Sequence, residues 1–243
     1  MPRPLRGVED AGFYHVLNRG NGRMKLFHKP EDFSAFCKVL CEALARYPVN
    51  LFSWCLMDNH WHLVLQPARA EALPDLMRWV GVTHVRRHHA HFQTRGGGHL
   101  YQGRYKNFAI QDDEHFLTVC RYVEANPLRA GLVPRAQDWP WSSLGRGDSR
   151  FQLPLSRWPL QKPHGWARLV NESLPKQSIE SLRTCIKRGQ PFGDEAWMKA
   201  TAKRLNIVST IRSIGRPRIK PKAAKGVVTP SNFRRRRLDG SLG

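Results

Sequence analysis

The chain has 243 residues, enough to bury one substantial core with a small appendage. Its 40 Lys and Arg stand against 19 Asp and Glu, a formal charge of +21 that implies a polyanionic partner, either nucleic acid or an anionic membrane surface. No apolar run of about 18 residues is present to span a bilayer, and Met1-Pro2-Arg3-Pro4-Leu5-Arg6 lacks the apolar stretch of a signal peptide, so nucleic acid is the favoured partner and the cytoplasm the expected compartment.

Gly12–Arg19 alternates and carries β-formers, which predicts a first strand. Residues 30–46 start at a proline suited to a helix N-terminus, and Phe33, Phe36, Leu40 and Leu44 recur as an apolar stripe. Cys37 and Cys41 share a face of that helix and are read as small packing residues. With Cys55, Cys120 and Cys185 the cysteines are odd in number and lack a C-x-x-C pair, which fits a reducing compartment. Residues 50–57 form an apolar, aromatic run read as a second strand. Asp58-Asn59 is a turn dipeptide, and 60–66 completes a hairpin as the third strand. Residues 73–91 read as a second helix with Leu73, Leu76, Met77 and Val80 inward. It ends in Arg86-Arg87-His88-His89, with His91 and Arg95 beyond. This basic face either tracks a DNA backbone or is simply solvated. A metal site of His84, His88, His89 and His91 is disfavoured, because adjacent helical residues diverge by about 100°.

Residues 94–98 are a loop, and a fourth strand is expected within 100–110. Residues 112–125 read as a helix whose Asp112-Asp113-Glu114 suits the positive end of the helix dipole. Phe116, Val119, Cys120 and Val123 face inward, and Pro127 ends the helix with Asn126 in its last turn. The order β-α-β-β-α-β followed by this helix predicts an α+β, ferredoxin-like antiparallel sheet (a split βαβ), with the last helix covering the sheet near the third strand. Residues 148–192, rich in proline and tryptophan, connect to a short amphipathic helix near 194–206 carrying Trp197, Ala200 and Leu205 on one side. Trp139, Trp141, Trp158 and Trp166 are read as anchors of this segment rather than as stacking platforms for bases. From Arg212 to Arg237 there are ten basic residues, no acidic ones and three prolines, so little packed structure is expected. Gly215-Arg216-Pro217-Arg218 resembles an A·T minor-groove hook, with Arg216 and Arg218 reaching into the groove; non-specific phosphate attraction is the simpler reading. The organisation expected is a catalytic domain over 1–147, a connecting segment over 148–211 and a basic, partly disordered tail over 212–243.

The candidate chemistry lies in two motifs. His60-Trp61-His62 in a strand points both imidazoles to one face, and Tyr122 with Asn126 share a face of a helix at i, i+4. Packed together, two nitrogens and an amide oxygen could hold a divalent ion beside a phenol. Mixed N/O ligation suits Mg2+ or Mn2+ better than a structural zinc site. A phenol of pKa about 10 is a poor nucleophile at neutral pH and needs an activated phosphodiester, which a Lewis acid supplies. Each motif alone is also compatible with ordinary packing. Tyr101 and Tyr105 are competing nucleophiles without an amide at i+4. Arg104 and Tyr105 are read instead as contacts to DNA or to the scissile phosphate, with Arg86 and Arg87 as further DNA contacts, and Asp58 either orients one imidazole or, more simply, caps the turn.

The surroundings of these motifs resemble a known family. Met57-Asp58-Asn59-His60-Trp61-His62-Leu63-Val64-Leu65 is similar to the His-hydrophobic-His strand of single-tyrosine transposases, and Arg121-Tyr122-Val123-Glu124-Ala125-Asn126-Pro127-Leu128-Arg129 to their tyrosine helix. Gly98-His99-Leu100-Tyr101-Gln102-Gly103-Arg104-Tyr105-Lys106, Asp138-Trp139-Pro140-Trp141-Ser142-Ser143, Tyr14-His15-Val16 and Arg19-Gly20 resemble the REP-associated branch. The resemblance covers roughly 1–147 and implies Tyr122 as nucleophile and His60, His62 and Asn126 as metal ligands. It also implies a single-strand DNA endonuclease and strand transferase that acts on hairpins through a 5′-phosphotyrosine. The alternatives are a DNA-binding regulator that keeps the fold with little catalysis, and a water-using metal nuclease in which Tyr122 is structural. Monomer and homodimer both remain open.

Overall fold

The computed structural model describes residues 7–112, 114–145 and 153–212. Its centre is a four-stranded antiparallel sheet of β1 (Phe13–Arg19), β2 (Val49–Met57), β3 (His60–Pro67) and β4 (Lys106–Ile110), in the order β2-β3-β1-β4. With α1 (Pro30–Arg46) after β1 and α2 (Ala72–His91) after β3, this is the ferredoxin-like arrangement read from the sequence.

Local chemistry sets these boundaries. Pro30 opens α1, where its missing N–H costs nothing, and the Asp32 carboxylate accepts from the backbone N–H of His28 (2.8 Å) and Lys29 (3.1 Å). The β2–β3 hairpin closes at Met57↔His60 around Asp58-Asn59, and the Asp58 carbonyl accepts from the N–H of both Leu26 and Phe27. Strand alternation then sorts the side chains. Trp61, Leu63 and Leu65 enter a core with Phe36, Leu40, Leu73 and Leu76 of α1 and α2, while Val64, Phe52 and Phe108 enter a second core on the opposite face.

That second face is covered by α3 (Glu114–Glu124), which packs across β2, β3 and β4. Phe116, Val119, Cys120 and Val123 are buried beneath it, the stripe expected from spacing. A one-turn helix, α4 (Asn126–Arg129), follows. Then come α5 (Trp166–Asn171), α6 (Lys176–Arg188) and α7 (Glu195–Arg204), the last capped by Asp194 accepting from Trp197 N–H at 2.8 Å. Trp158, Trp166, Leu182 and Phe192 pack into the core under α3. Phe192 also exchanges backbone hydrogen bonds with Ala109 (2.8 Å) and Gln111 (3.0 Å), which covers the outer edge of β4.

The fourth strand occupies Lys106–Ile110, inside the 100–110 span where one was expected, and is preceded by a loop over Leu100 to Arg104. The loop backbone bonds to Asn21 and Arg19, and the Asn18 amide donates to the Gly103 carbonyl at 3.3 Å. The tyrosine helix ends at Glu124, so Asn126 does not occupy its last turn but opens α4, where Pro127 fits the first turn. All five cysteines are free, and burial pushes the Cys37 and Cys185 thiols up to about 12, in keeping with packing roles. The expected basic tail, with Arg216 and Arg218, lies outside the described residues.

Candidate active site

His60 and His62 project from β3 toward α3 with ring centroids 5.0 Å apart. Asn59 fixes the first ring, its amide oxygen accepting from His60 Nδ1 at 2.6 Å while its amide nitrogen donates to the Arg23 carbonyl at 3.2 Å. An amide oxygen only accepts, so the His60 proton sits on Nδ1 and Nε2 keeps its lone pair. The second ring is held by a residue that the motif reading left aside. His15 Nε2 lies 2.8 Å from His62 Nδ1, with the rings stacked at 5.0 Å. The β1–β3 register accounts for this contact: Leu17 faces His62, and His15, two residues earlier on the same face, is its diagonal neighbour.

His62 is 3% exposed, and its Nε2 has no hydrogen-bond partner among the described residues. Orphaned buried nitrogens are rare, and one beside a second available Nε2 suits a cation or a ligand oxygen. All three histidines are held neutral. Burial drives His15 down to about 3, and burial with the positive charges of Arg19 and Arg129 drives His60 to about 4. Burial, then His15, His60 and Arg129, takes His62 well below the usual imidazole range.

Tyr122 stands over this pair from α3, its ring centroid 6.3 Å from that of His62 and 6.5 Å from that of His15, both edge-on. The proximity that the two motifs required is therefore met within one chain. Asn126 is 8% exposed and differs in detail from a free ligand, since its Oδ1 accepts from Arg129 Nη2 at 2.7 Å. Its Nδ2 donates to the carbonyls of Tyr122 and Val123, which seals the broken end of α3. Arg129 also donates to the Tyr122 carbonyl at 2.8 Å and sets its guanidinium 3.9 Å from the centroid of the Tyr122 ring. It pairs with no carboxylate among the described residues, and burial pulls it below the usual guanidinium range. Its spacing from Asn126, i+3 across the α4 turn, was the only sequence signal for this role.

Behind the tyrosine, Glu124 is fully buried. It accepts from Ser143 Oγ (2.6 Å), Trp166 Nε1 (2.6 Å) and Ser53 Oγ (3.3 Å). Desolvation still raises its pKa despite these donors. A β-bulge between Leu51 and Ser53 turns Ser53 toward α3. The carboxylate thus joins the tyrosine helix to β2, to the 143 loop and to α5.

The remaining sequence candidates lie apart. Arg87 is fixed by a bidentate pair to Glu42 of α1 (2.8 and 3.1 Å), whereas Arg86 and Arg104 are exposed and line one cavity. Tyr105 is only 8% exposed at the wall of that cavity, so it offers little surface to DNA. Of the helix-end histidines, His84 and His88 turn inward and His89 meets Thr94 Oγ1 at 2.7 Å. Among the described residues no three His, Cys, Asp or Glu side chains form a metal cluster.

A family model described as "Transposase IS200 like" matches residues 10–126, a span that begins before β1 and ends on Asn126. The chain is 22% identical over 154 residues to a Haemophilus influenzae protein provisionally named a REP-associated tyrosine transposase, covering 60% of this chain and 85% of the relative. It is 20% identical over 149 residues to the REP-associated tyrosine transposase of Escherichia coli, covering 61% and 85%. Among solved structures, a REP-associated tyrosine transposase bound to a REP hairpin matches at 18% identity over 59% of this chain and 82% of that one, with a TM-score of 0.48.

Proposed function

We propose that this chain, which matches the IS200-like transposase family over residues 10–126, is a transposase of that kind that cuts and rejoins structured single-stranded DNA with Tyr122 as nucleophile. The observation that carries the reading is the placement of the Tyr122 ring, 6.3 Å from His62, in the same chain. No second copy is needed to supply the tyrosine. In cleavage the Tyr122 oxygen bonds to phosphorus and the P–O3′ bond breaks. The phenol proton is lost, the departing 3′ oxygen takes one up, and the 5′-phosphate stays on the tyrosine. The reverse step rejoins a strand without an external energy source, because the phosphodiester bond is exchanged rather than hydrolysed.

The donor set fits a divalent ion. His60 and His62 each present an Nε2 while Nδ1 is held in place, and Asn126 would add the second lone pair of an amide oxygen that already accepts from Arg129 Nη2, a mixed N/O set that suits Mg2+ or Mn2+. Such an ion, when bound, supplies Lewis-acid polarisation of the scissile phosphate. The residues supply the rest. His15 and Asn59 orient the imidazoles, Glu124 locks the helix that presents Tyr122, and Arg129 sets a positive charge against the ring where phenolate charge develops. The +21 charge favours DNA as partner, hairpins follow from the family, and among the described residues no helix is long and apolar enough to cross a membrane. The expected place of action is the cytoplasm, at the nucleoid.

The test is covalent trapping. Labelled single-stranded hairpins are incubated with protein and Mn2+ or Mg2+ and run on a denaturing gel beside Tyr122→Phe and His62→Ala. A metal-dependent protein–DNA adduct, absent in both variants, is expected. Cleavage that survives Tyr122→Phe would replace the reading with a water-using nuclease. Hairpin binding without any cleavage would replace it with a regulatory DNA-binding protein.

A further inference from the structure

The Arg19-Gly20 pair at the end of β1 has no part in the chemistry above. β1 pairs with β3 so that Arg19 stands opposite His60, and opposite residues of an antiparallel pair share a face. His15, four residues before Arg19 on the same strand, stacks on His62 beneath Tyr122, which identifies that face as the tyrosine face. The arginine is thus delivered beside the imidazole pair. Its backbone has little play. The Arg19 N–H donates to Asn18 Oδ1 at 2.9 Å, its carbonyl accepts from Gln102 N–H at 3.0 Å, and the Gly20 N–H donates to the Asn59 carbonyl at 2.8 Å. A Cβ at Gly20 would collide with the Met24 carbonyl oxygen, so the turn closes only with glycine after the arginine.

The side chain is not committed in the same way. Arg19 Nε is buried and has no hydrogen-bond partner among the described residues, and no carboxylate among them pairs with the guanidinium. A buried donor of this kind is rare, and an anion is the group that suits it. The surroundings agree. The charged groups acting on His60 are Arg19 and Arg129, both positive, and Arg129 is already bonded to the Tyr122 carbonyl and Asn126 Oδ1. Arg19 also lines a cleft of about 330 Å³ with Arg104 and Lys106, and among the described residues no Asp or Glu lines it. The donors assigned to the divalent ion, two imidazoles and an amide oxygen, carry no charge. The phosphodiester is therefore the anion of the assembled site.

We propose that Arg19 is a further catalytic residue, donating to a non-bridging oxygen of the phosphodiester that faces the histidines and Tyr122. The inference rests on the DNA-cutting reading above and adds the group that grips the reacting phosphate. As the Tyr122 oxygen bonds to phosphorus and the P–O3′ bond breaks, negative charge on the phosphoryl oxygens meets a planar cation fixed in place by the strand pairing. A guanidinium keeps its proton throughout, so Arg19 stabilises charge and transfers nothing.

The test is a charge-deletion scan. In Tyr122→Phe, with a chelator present, each phosphate of the unpaired flank of a fluorescent hairpin is replaced in turn by an uncharged methylphosphonate, and binding is read by anisotropy. One position should cost about tenfold in affinity, the scale of a hydrogen bond between charged partners, and with Arg19→Gln added the loss there should shrink to about twofold or less. Arg19→Lys, which keeps the charge, should retain most of the loss, and melting temperatures should stay near that of Tyr122→Phe. With Tyr122 restored, Arg19→Gln should slow adduct formation at saturating DNA about a hundredfold without moving its pH profile, and the wild-type cut should map to the position found by the scan. A scan in which no position depends on Arg19, or a cut at a phosphate indifferent to it, overturns the proposal. The two readings separate: an adduct at an indifferent phosphate removes Arg19 alone, and an Arg19-dependent phosphate without any adduct removes the tyrosine chemistry alone.

Discussion

Arg129→Met is the most informative single change near the tyrosine. It keeps much of the stem and removes the two charge-assisted hydrogen bonds, to the Tyr122 carbonyl at 2.8 Å and to Asn126 Oδ1 at 2.7 Å, along with the cation over the ring. The Tyr122 carbonyl retains the Asn126 Nδ2 donor, so the main loss is the partner of a buried amide oxygen, about 1–3 kcal/mol. The cation–π contact adds about 0.5–2 kcal/mol. Against these stands relief from burying a guanidinium that no carboxylate neutralises among the described residues. The net expectation is a loss of about 1–3 kcal/mol, or about 2–10 °C in melting temperature for a chain of this size. The kinetic effect should be larger. Tyr122 and Asn126 both lose the group that fixes them, and misplacement on the scale of about 1 Å costs roughly a hundredfold in rate. Single-turnover adduct formation followed beside thermal unfolding measures both. Arg129→Lys keeps the charge but lacks the planar fork that spans two acceptors, so it should recover part of the stability and little of the rate. An adduct rate within twofold of wild type in Arg129→Met refutes the positioning role.

Glu124→Ala strands Trp166 Nε1 and Ser143 Oγ, and should cost about 2–4 kcal/mol in urea unfolding while shifting tryptophan emission; wild-type values in both would remove the clamp. Acid should destabilise the fold above the ordinary carboxylate range. His15 and His84 are held neutral down to about 3 and His60 to about 4, whereas the unfolded chain protonates them near about 6.5, so it binds more protons in that window and stability falls as pH drops from about 6.5 toward 4. Each such histidine contributes a slope of up to about 1.4 kcal/mol per pH unit, and urea midpoints that stay flat between pH 7 and 5 would contradict it. Mn2+ at a hundredfold its dissociation constant should stabilise the wild type by about 2.7 kcal/mol and leave His60→Ala/His62→Ala unmoved; an equal shift in both would place the ion elsewhere.

The elements whose side chains repeat with a clean period were legible. α1, α2, the β2–β3 hairpin and the buried stripe of α3 all follow from apolar spacing, a proline at a helix start and a turn dipeptide. What escaped depends on contacts between segments distant in sequence. His15 reaches His62 only through the β1–β3 register, which no local pattern encodes. Glu124 reads as an ordinary helix-face carboxylate until a bulge in β2 and the indole of Trp166, 42 residues later, close around it. The break of α3 before Asn126 was misplaced because Pro127 signals an ending without saying whether it closes one helix or opens the next.

The three residues His60-Trp61-His62 show how much of the arrangement hangs on one strand. Period two sends the imidazoles to the tyrosine face and the indole to the face covered by α1 and α2, so a slip of one residue in the β1–β3 or β2–β3 pairing would exchange the two. Trp61, 1% exposed and bonded to Tyr101, opposes such a slip, because moving it out would expose a large indole and leave the Tyr101–His84 pair without its donor. The strand register on which the histidines meet Tyr122 is thus also held from the other side of the sheet, by the buried tryptophan between them. Trp61 packing fixes the register, and His15 and Asn59 then set the orientation of the two imidazoles within it.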